Sequence, residues 1–299
     1  MVRAKKNAKD DPSYRTLKAD YYPVQRHLPL RSSETEVDYY LVDTARNLSV
    51  SNHRLYRQGK TYQVKFDLDP GSTGTYEIYA LRDTWMTQKA WQLGRSVYLR
   101  STADERAVMS KQKIARWEDF RVAAELSGWA GGFLLPAPAN SGMATAADTA
   151  GEFSSSEITL ADGATQRSFW WGATGGTWLG LMEEFDKSGD TNASPSTIDV
   201  DNPYAGTDLG VHETQMDDLA AKGNFPPYDR ENINSRLWVK IGVLNAVAAH
   251  GKLSTGYFNA PCGLVVVRPT TPSTEITGFL TQTVQGGDYK GVKAHNMGA

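Results

Sequence analysis

Alternation of apolar and polar side chains, the two-residue period of a half-buried β-strand, recurs along this chain. Tyr62, Val64, Phe66 and Leu68 interleave with Thr61, Gln63, Lys65 and Asp67. After the turn-rich DPGSTG the pattern resumes, with Tyr76, Ile78 and Ala80 against Thr75, Glu77 and Tyr79. Two strands joined by a short loop are predicted. Val37, Tyr39 and Leu41 alternate similarly, as do Leu237, Val239, Ile241 and Val243, and residues 167–171, 257–267 and 275–283 predict one strand each. The period changes after Asp83. Met86, Ala90, Leu93 and Val97 fall at helical spacing, while Thr102 and Glu105 have capping-box spacing and predict a second short helix through about Lys113. Residues 115–126, ARWEDFRVAAEL, carry both periods and are read as a turn into a strand. Residues 177–185, TWLGLMEEF, predict a brief helix.

The rest organises these elements. Residues 1–33 lack periodicity and mix Lys, Arg, Pro and paired tyrosines, so they read as an extended basic N-terminal arm. Residues 34–299 read as a single domain, with small-residue and acidic loop insertions at about 128–165 and 187–232. About eight strands, few helices and no βαβ rhythm predict an all-β antiparallel sandwich with short helices and long loops. No fixed-period repeat suggests a propeller or solenoid.

Composition narrows the function. The 299 residues are 40% hydrophobic and 22% charged, enough to bury a core. The single cysteine, Cys262, excludes an internal disulfide framework, and no CxxC or Cys/His cluster is spaced for zinc. No apolar run is long enough to cross a bilayer as a helix, and MVRAKKNAKDDPSYR, which has no apolar segment behind it, is expected not to be a signal peptide. The net charge of −2 is the sum of unequal regions. Residues 1–31 hold eight basic and three acidic side chains, residues 82–125 nine and six, and residues 140–232 four and sixteen. Such separation suits one surface toward a polyanion and another toward solvent, and also a flexible tail with solvated acidic loops, which charge alone favours.

Catalytic signatures are weak. GATGGTW at 172–178 lacks the lysine of a phosphate-binding loop and reads as a turn. Ser141 stands in a small-residue loop without a placed base, and the five histidines, His27, His53, His212, His250 and His295, are scattered. The acidic run 186–201 lacks the ligand ladder of a calcium loop. Glu183 and Glu184, adjacent on a helix, point about 100° apart and do not flank one bond. No cofactor or metal is expected.

Six segments carry a family likeness: LSVSNHRLYRQGKTYQVK (48–65), DTWMTQKAWQLGRSVYL (83–99), ARWEDFRV (115–122), PPYD (226–229), TGYFNAPCGL (255–264) and GGDYKGVKAH (286–295). Together and in this order they resemble capsid proteins of circular, Rep-encoding single-stranded DNA (CRESS-type) viruses. The resemblance implies a single jelly roll of eight strands in two sheets, and no enzymatic activity. It further implies self-assembly into an icosahedral shell, of about sixty copies in the T=1 case, around circular single-stranded DNA. A host receptor of unknown kind would be a partner and a membrane would not. The location implied is the virion, assembled inside a host cell with the nucleus as the candidate compartment. Many relatives carry dense arginine tracts in the arm, whereas here Asp10, Asp11 and Asp20 dilute it.

In such a particle the phosphate contacts expected are Arg3, Lys5, Lys6, Lys9, Arg15 and Lys18. Tyr14, Tyr21 and Tyr22 would stack on unpaired bases or anchor the arm under a neighbouring subunit. Sixty arms of this net charge would offset only about 300 phosphates, so other residues and small cations would balance a kilobase-scale genome. Two rivals stand beside this reading. One is a carbohydrate-binding jelly-roll module or sandwich-type polysaccharide-active enzyme with Trp170, Trp171 or Trp178 as a sugar platform. The other is a nucleic-acid-binding module that forms no shells.

Overall fold

The computed structural model describes residues 23–32, 39–68, 74–108, 117–124, 134–136, 155–160, 163–187, 237–245, 253–270 and 280–298. Their strands are β1 (His27–Ser32), β2 (Tyr40–Asp43), β3 (Lys60–Leu68), β4 (Thr75–Leu81), β5 (Leu134–Pro136), β6 (Glu157–Thr159) and β7 (Gln166–Trp170). There follow β8 (Trp178–Gly180), β9 (Trp238–Asn245), β10 (Phe258–Pro261), β11 (Leu264–Pro269), β12 (Leu280–Val284) and β13 (Ala294–Asn296). The helices are α1 (Thr44–Asn52), α2 (Trp85–Ser101), α3 (Ala103–Val108) and α4 (Leu181–Lys187). The described chain is therefore mainly β, with few and mostly short helices.

Two antiparallel sheets face each other. The first has the order β10-β3-β12-β1-β5, with β13 also on β3, and the second the order β2-β11-β4-β9. Within the sheets β1 pairs with β12 and β3 with β10 in the first, and β2 with β11 and β4 with β9 in the second, eight strands in all. Two further ladders, β3 with β12 and β4 with β11, close each sheet. Between the sheets Leu28, Val64, Phe66, Leu280 and Val284 of the first meet Val42, Ile78, Leu244, Val265 and Val267 of the second in one buried cluster. The alternating pattern of β3 is the one-face burial its period predicts.

The second sheet is covered outside as well. Leu41, Leu81, Leu264 and Val266 form another buried cluster with Trp91 of α2, Leu181 and Phe185 of α4, and Phe120, Phe169 and Trp171. The rings of Phe120 and Phe169 meet edge to face at 5.1 Å, and Trp91 meets Phe120 at 5.8 Å. Helix α2 starts where Thr84 accepts the Thr87 amide, and Gly94 lets it approach α4, because a Cβ there would overlap the Leu181 side chain. A small sheet, β6-β7-β8, completes this layer; its β7–β8 pair is parallel.

Several boundaries differ from the sequence reading. The arm read over 1–33 ends in a strand, since His27–Ser32 is hydrogen-bonded between β12 and β5 with Leu28 and Leu30 fully buried. The single strand read over 257–267 is two: the chain turns at Cys262 and Gly263, both with positive φ, and passes from the first sheet to the second. Thr102 makes no capping box; its hydroxyl donates to the Tyr98 carbonyl, and the short helix is described over Ala103–Val108, the rest of the stretch predicted to Lys113 lying outside the described residues. Residues 118–122 have no regular structure, and Ala123 makes a lone parallel bridge to Trp170. TWLGLMEEF is divided between β8 and α4. Within 128–165, Leu134–Pro136 adds an edge strand to the first sheet and Glu157–Thr159 joins the small one. Residues 188–232 of the second insertion lie outside the described residues.

Candidate nucleic-acid interface

The nine residues proposed from the sequence to meet nucleic acid, Arg3, Lys5, Lys6, Lys9, Tyr14, Arg15, Lys18, Tyr21 and Tyr22, all lie outside the described residues, as do Ser141, His212, His250 and the acidic run at 188–201. A different concentration of positive charge stands on the folded body. It is built from the segment between α1 and β3, from the start of β3, and from the turn before β13.

Helix α1 sets the first of these. Asp43 caps it by accepting the Arg46 amide at 3.0 Å, and His53, with φ 49°, ends it. The chain then runs through Arg54, Tyr56 and Arg57 into Lys60. It is held by the Tyr62 hydroxyl, which donates to the Arg57 carbonyl at 2.6 Å, and by the Arg57 amide, which donates to the Tyr289 hydroxyl at 3.1 Å. The Tyr56 hydroxyl donates to the Lys290 carbonyl at 3.0 Å. Residues more than two hundred positions apart are thus locked side by side. The Lys60 ammonium lies 4.2 Å from the centre of the Tyr289 ring, and that of Lys290 lies 5.5 Å from the same ring.

The charges repel one another. Burial, and then Arg57, hold Lys60 below its ordinary value. Lys290 is held down by burial and by Arg57, Arg54 and Lys60, against the opposing pull of Asp119. Asp119 itself is raised by burial, opposed by the Gln58 amide that donates to it at 2.7 Å and by Arg121 and Arg57. The Arg57 guanidinium stands 3.6 Å from this carboxylate.

Beside the cluster opens a cavity of about 480 Å³. Arg57, Lys60, Arg95, Trp91 and Asp119 line it, and the backbone around Gly298 closes one side, with the Gln92 amide donating to the Gly298 carbonyl. The Arg95 guanidinium lies 5.7 Å from the Trp91 ring centre. Gly59 is needed here, since a Cβ would strike the Trp91 ring at 2.5 Å.

Sequence reasoning passed over this cluster, although a signal existed. Residues 44–66 carry five basic side chains, Arg46, Arg54, Arg57, Lys60 and Lys65, and no acid. The other candidates have local roles. Glu183 accepts the Thr174 amide at 2.6 Å and Glu184 accepts the Thr174 hydroxyl at 2.8 Å, which fastens the turn at 172–178. The His27 ring nitrogen lies 3.1 Å from the Thr283 hydroxyl, and His53 meets the Trp117 ring. Among the described residues no three His, Cys, Asp or Glu side chains gather for a metal, and no described helix is long and apolar enough to cross a membrane. Trp171 is fully buried, while Trp170 and Trp178 stack on each other at 4.8 Å. Comparison with protein-family models, with curated proteins and with solved structures finds no match.

Proposed function

We propose that this chain is a viral capsid protein, a jelly roll that assembles into an icosahedral shell around circular single-stranded DNA. The nested pairing of eight strands, first with eighth, second with seventh, third with sixth and fourth with fifth, supports the jelly-roll reading, because rolling up an antiparallel ribbon produces it. Jelly rolls serve both shells and sugar-binding modules, so the fold alone does not select between them. The observation that carries the choice is where the family-like segments meet. Segments 48–65, 83–99, 115–122 and 286–295 supply Arg57 and Lys60, Trp91 and Arg95, Asp119, and Lys290, and all of these converge on one cationic surface.

Charge of this kind, added to the arm's six proposed phosphate contacts, fits a sequence-tolerant partner with a phosphate backbone. A sugar platform is less well supported, because one of its three tryptophans is in the core and the other two cover each other. Electron microscopy of the purified full-length protein, with the absorbance ratio after nuclease treatment, tests the proposal. Closed shells holding protected DNA are expected. A stable monomer at high concentration, with or without affinity for glycans, overturns it.

A further inference from the structure

The cavity between β3 and α2 has a more specific chemistry than general attraction for a polyanion. Its lining brings three cations, Arg57, Lys60 and Arg95, to one carboxylate, Asp119, whose oxygens are engaged by the Gln58 amide and Arg57. An anion entering there meets uncompensated positive charge that the fold has gathered despite mutual repulsion. The apolar side is formed by Leu99, which is exposed, and by an edge of Trp91. Trp91 is 6% exposed, and its buried indole N–H has no hydrogen-bond partner among the described residues. The volume, about 480 Å³, lies in the range of small-molecule sites, above that of a bare phosphate ion.

We propose that this cavity binds one nucleotide, its phosphate held by Lys60, Arg57 and Arg95 and its base resting against Leu99 and the exposed edge of Trp91. Phosphate and ring both fit the lining: a simple anion leaves its apolar side unused, and an uncharged ring leaves Lys60 and Arg95 without an anionic partner among the described residues. The nucleotide is either free or one unit of a single strand. The site belongs to the folded body, and it stands whether or not the chain forms shells.

The test uses the full-length chain, with thymidine monophosphate, oligothymidylate and heparin as probes in a salt titration. The double variant Lys60→Gln/Arg95→Gln should bind both thymidine probes at least about tenfold more weakly. For the oligonucleotide, the slope of log affinity on log salt should fall by about 0.7 for each phosphate that the variant no longer neutralises. Lys60→Arg, which keeps the charge, should restore most of the affinity, and thermal unfolding of each variant checks that it is folded. Oligothymidylate binding much tighter than the monophosphate assigns the site to a strand; equal affinity assigns it to the free nucleotide. Unchanged binding in the double variant overturns the proposal, as does heparin held as tightly as oligothymidylate and released in the same variant. Imaging the same samples separates this result from the shell question, since shells with unaltered nucleotide binding defeat only the cavity.

Discussion

Strand β3 of the first sheet and the β2–β11 pair of the second bury different numbers of faces. β3, in the first sheet, alternates between buried and half-exposed positions, whereas in β2 and the first four residues of β11, in the second, every residue is buried. The cause is the layer formed by α2, α4 and the small sheet, which covers the outside of the second sheet and turns Leu41 and Val266 into core. Alternation therefore marks a strand with one dry face, and an unbroken apolar run such as LVVV marks a strand with two.

The sharpest way to break this comparison is to place a charge on the outward face of the second sheet and to remove one from the first. Val266→Asp buries an unpaired carboxylate and should cost about 4 kcal/mol or more, leaving little folded protein, while Lys65→Gln on β3 should stay within about 0.5 kcal/mol. Denaturant titration of both proteins decides it, and similar losses would mean that the outer layer does not seal the second sheet. The contact between that layer's own helices is probed by Gly94→Ala. The added methyl must displace Leu181, and a loss of about 1–3 kcal/mol is expected in the same titration.

A smaller, pH-dependent effect belongs to the exposed part of the second sheet. Glu77 accepts hydrogen bonds from Lys240 and the Tyr79 hydroxyl, which hold its carboxyl below the ordinary value. Its contribution is therefore present at neutral pH and is lost as pH falls from the ordinary glutamate range through the lowered value. Glu77→Gln should cost less than about 1 kcal/mol at pH 7, because Lys240 is well exposed, and the difference from the parent should vanish in acid. Melting curves at several pH values check the sign.

Strands with one buried face were legible in β3 and β4, whose residues stand where their alternation puts them; β9 does not keep its predicted face, because a bulge opposite Ile78 and Tyr79 shifts its register and buries Leu244 while Val239, Ile241 and Val243 stay half-exposed. β1 was hidden by its setting, since HLPLRS follows a charged, aperiodic stretch although Leu28 and Leu30 sit on one face. The division of 257–267 was obscured by the apolar run on both sides of it. Cys262 is apolar and masks the turn signal that Pro261 and Gly263 on either side of it supply, yet it adopts φ 56° where the chain changes sheets. The cationic site was legible only in part. Its Arg57 and Lys60 stand in an acid-free stretch, whereas Lys290 and Arg95 come from distant segments whose meeting no local pattern announces.

Local periodicity and composition by themselves determined that this chain is a mainly β protein with one long amphipathic helix, because the burial of a strand or helix face is written in the spacing of its own side chains. The tertiary structure alone decided which strands pair, which sheet is covered twice, and that Lys60, Arg57, Arg95 and Lys290 share a surface with Trp91. Pairing and convergence are set by contacts between segments up to more than two hundred residues apart, and the free energy of such contacts has no periodic trace in either segment alone.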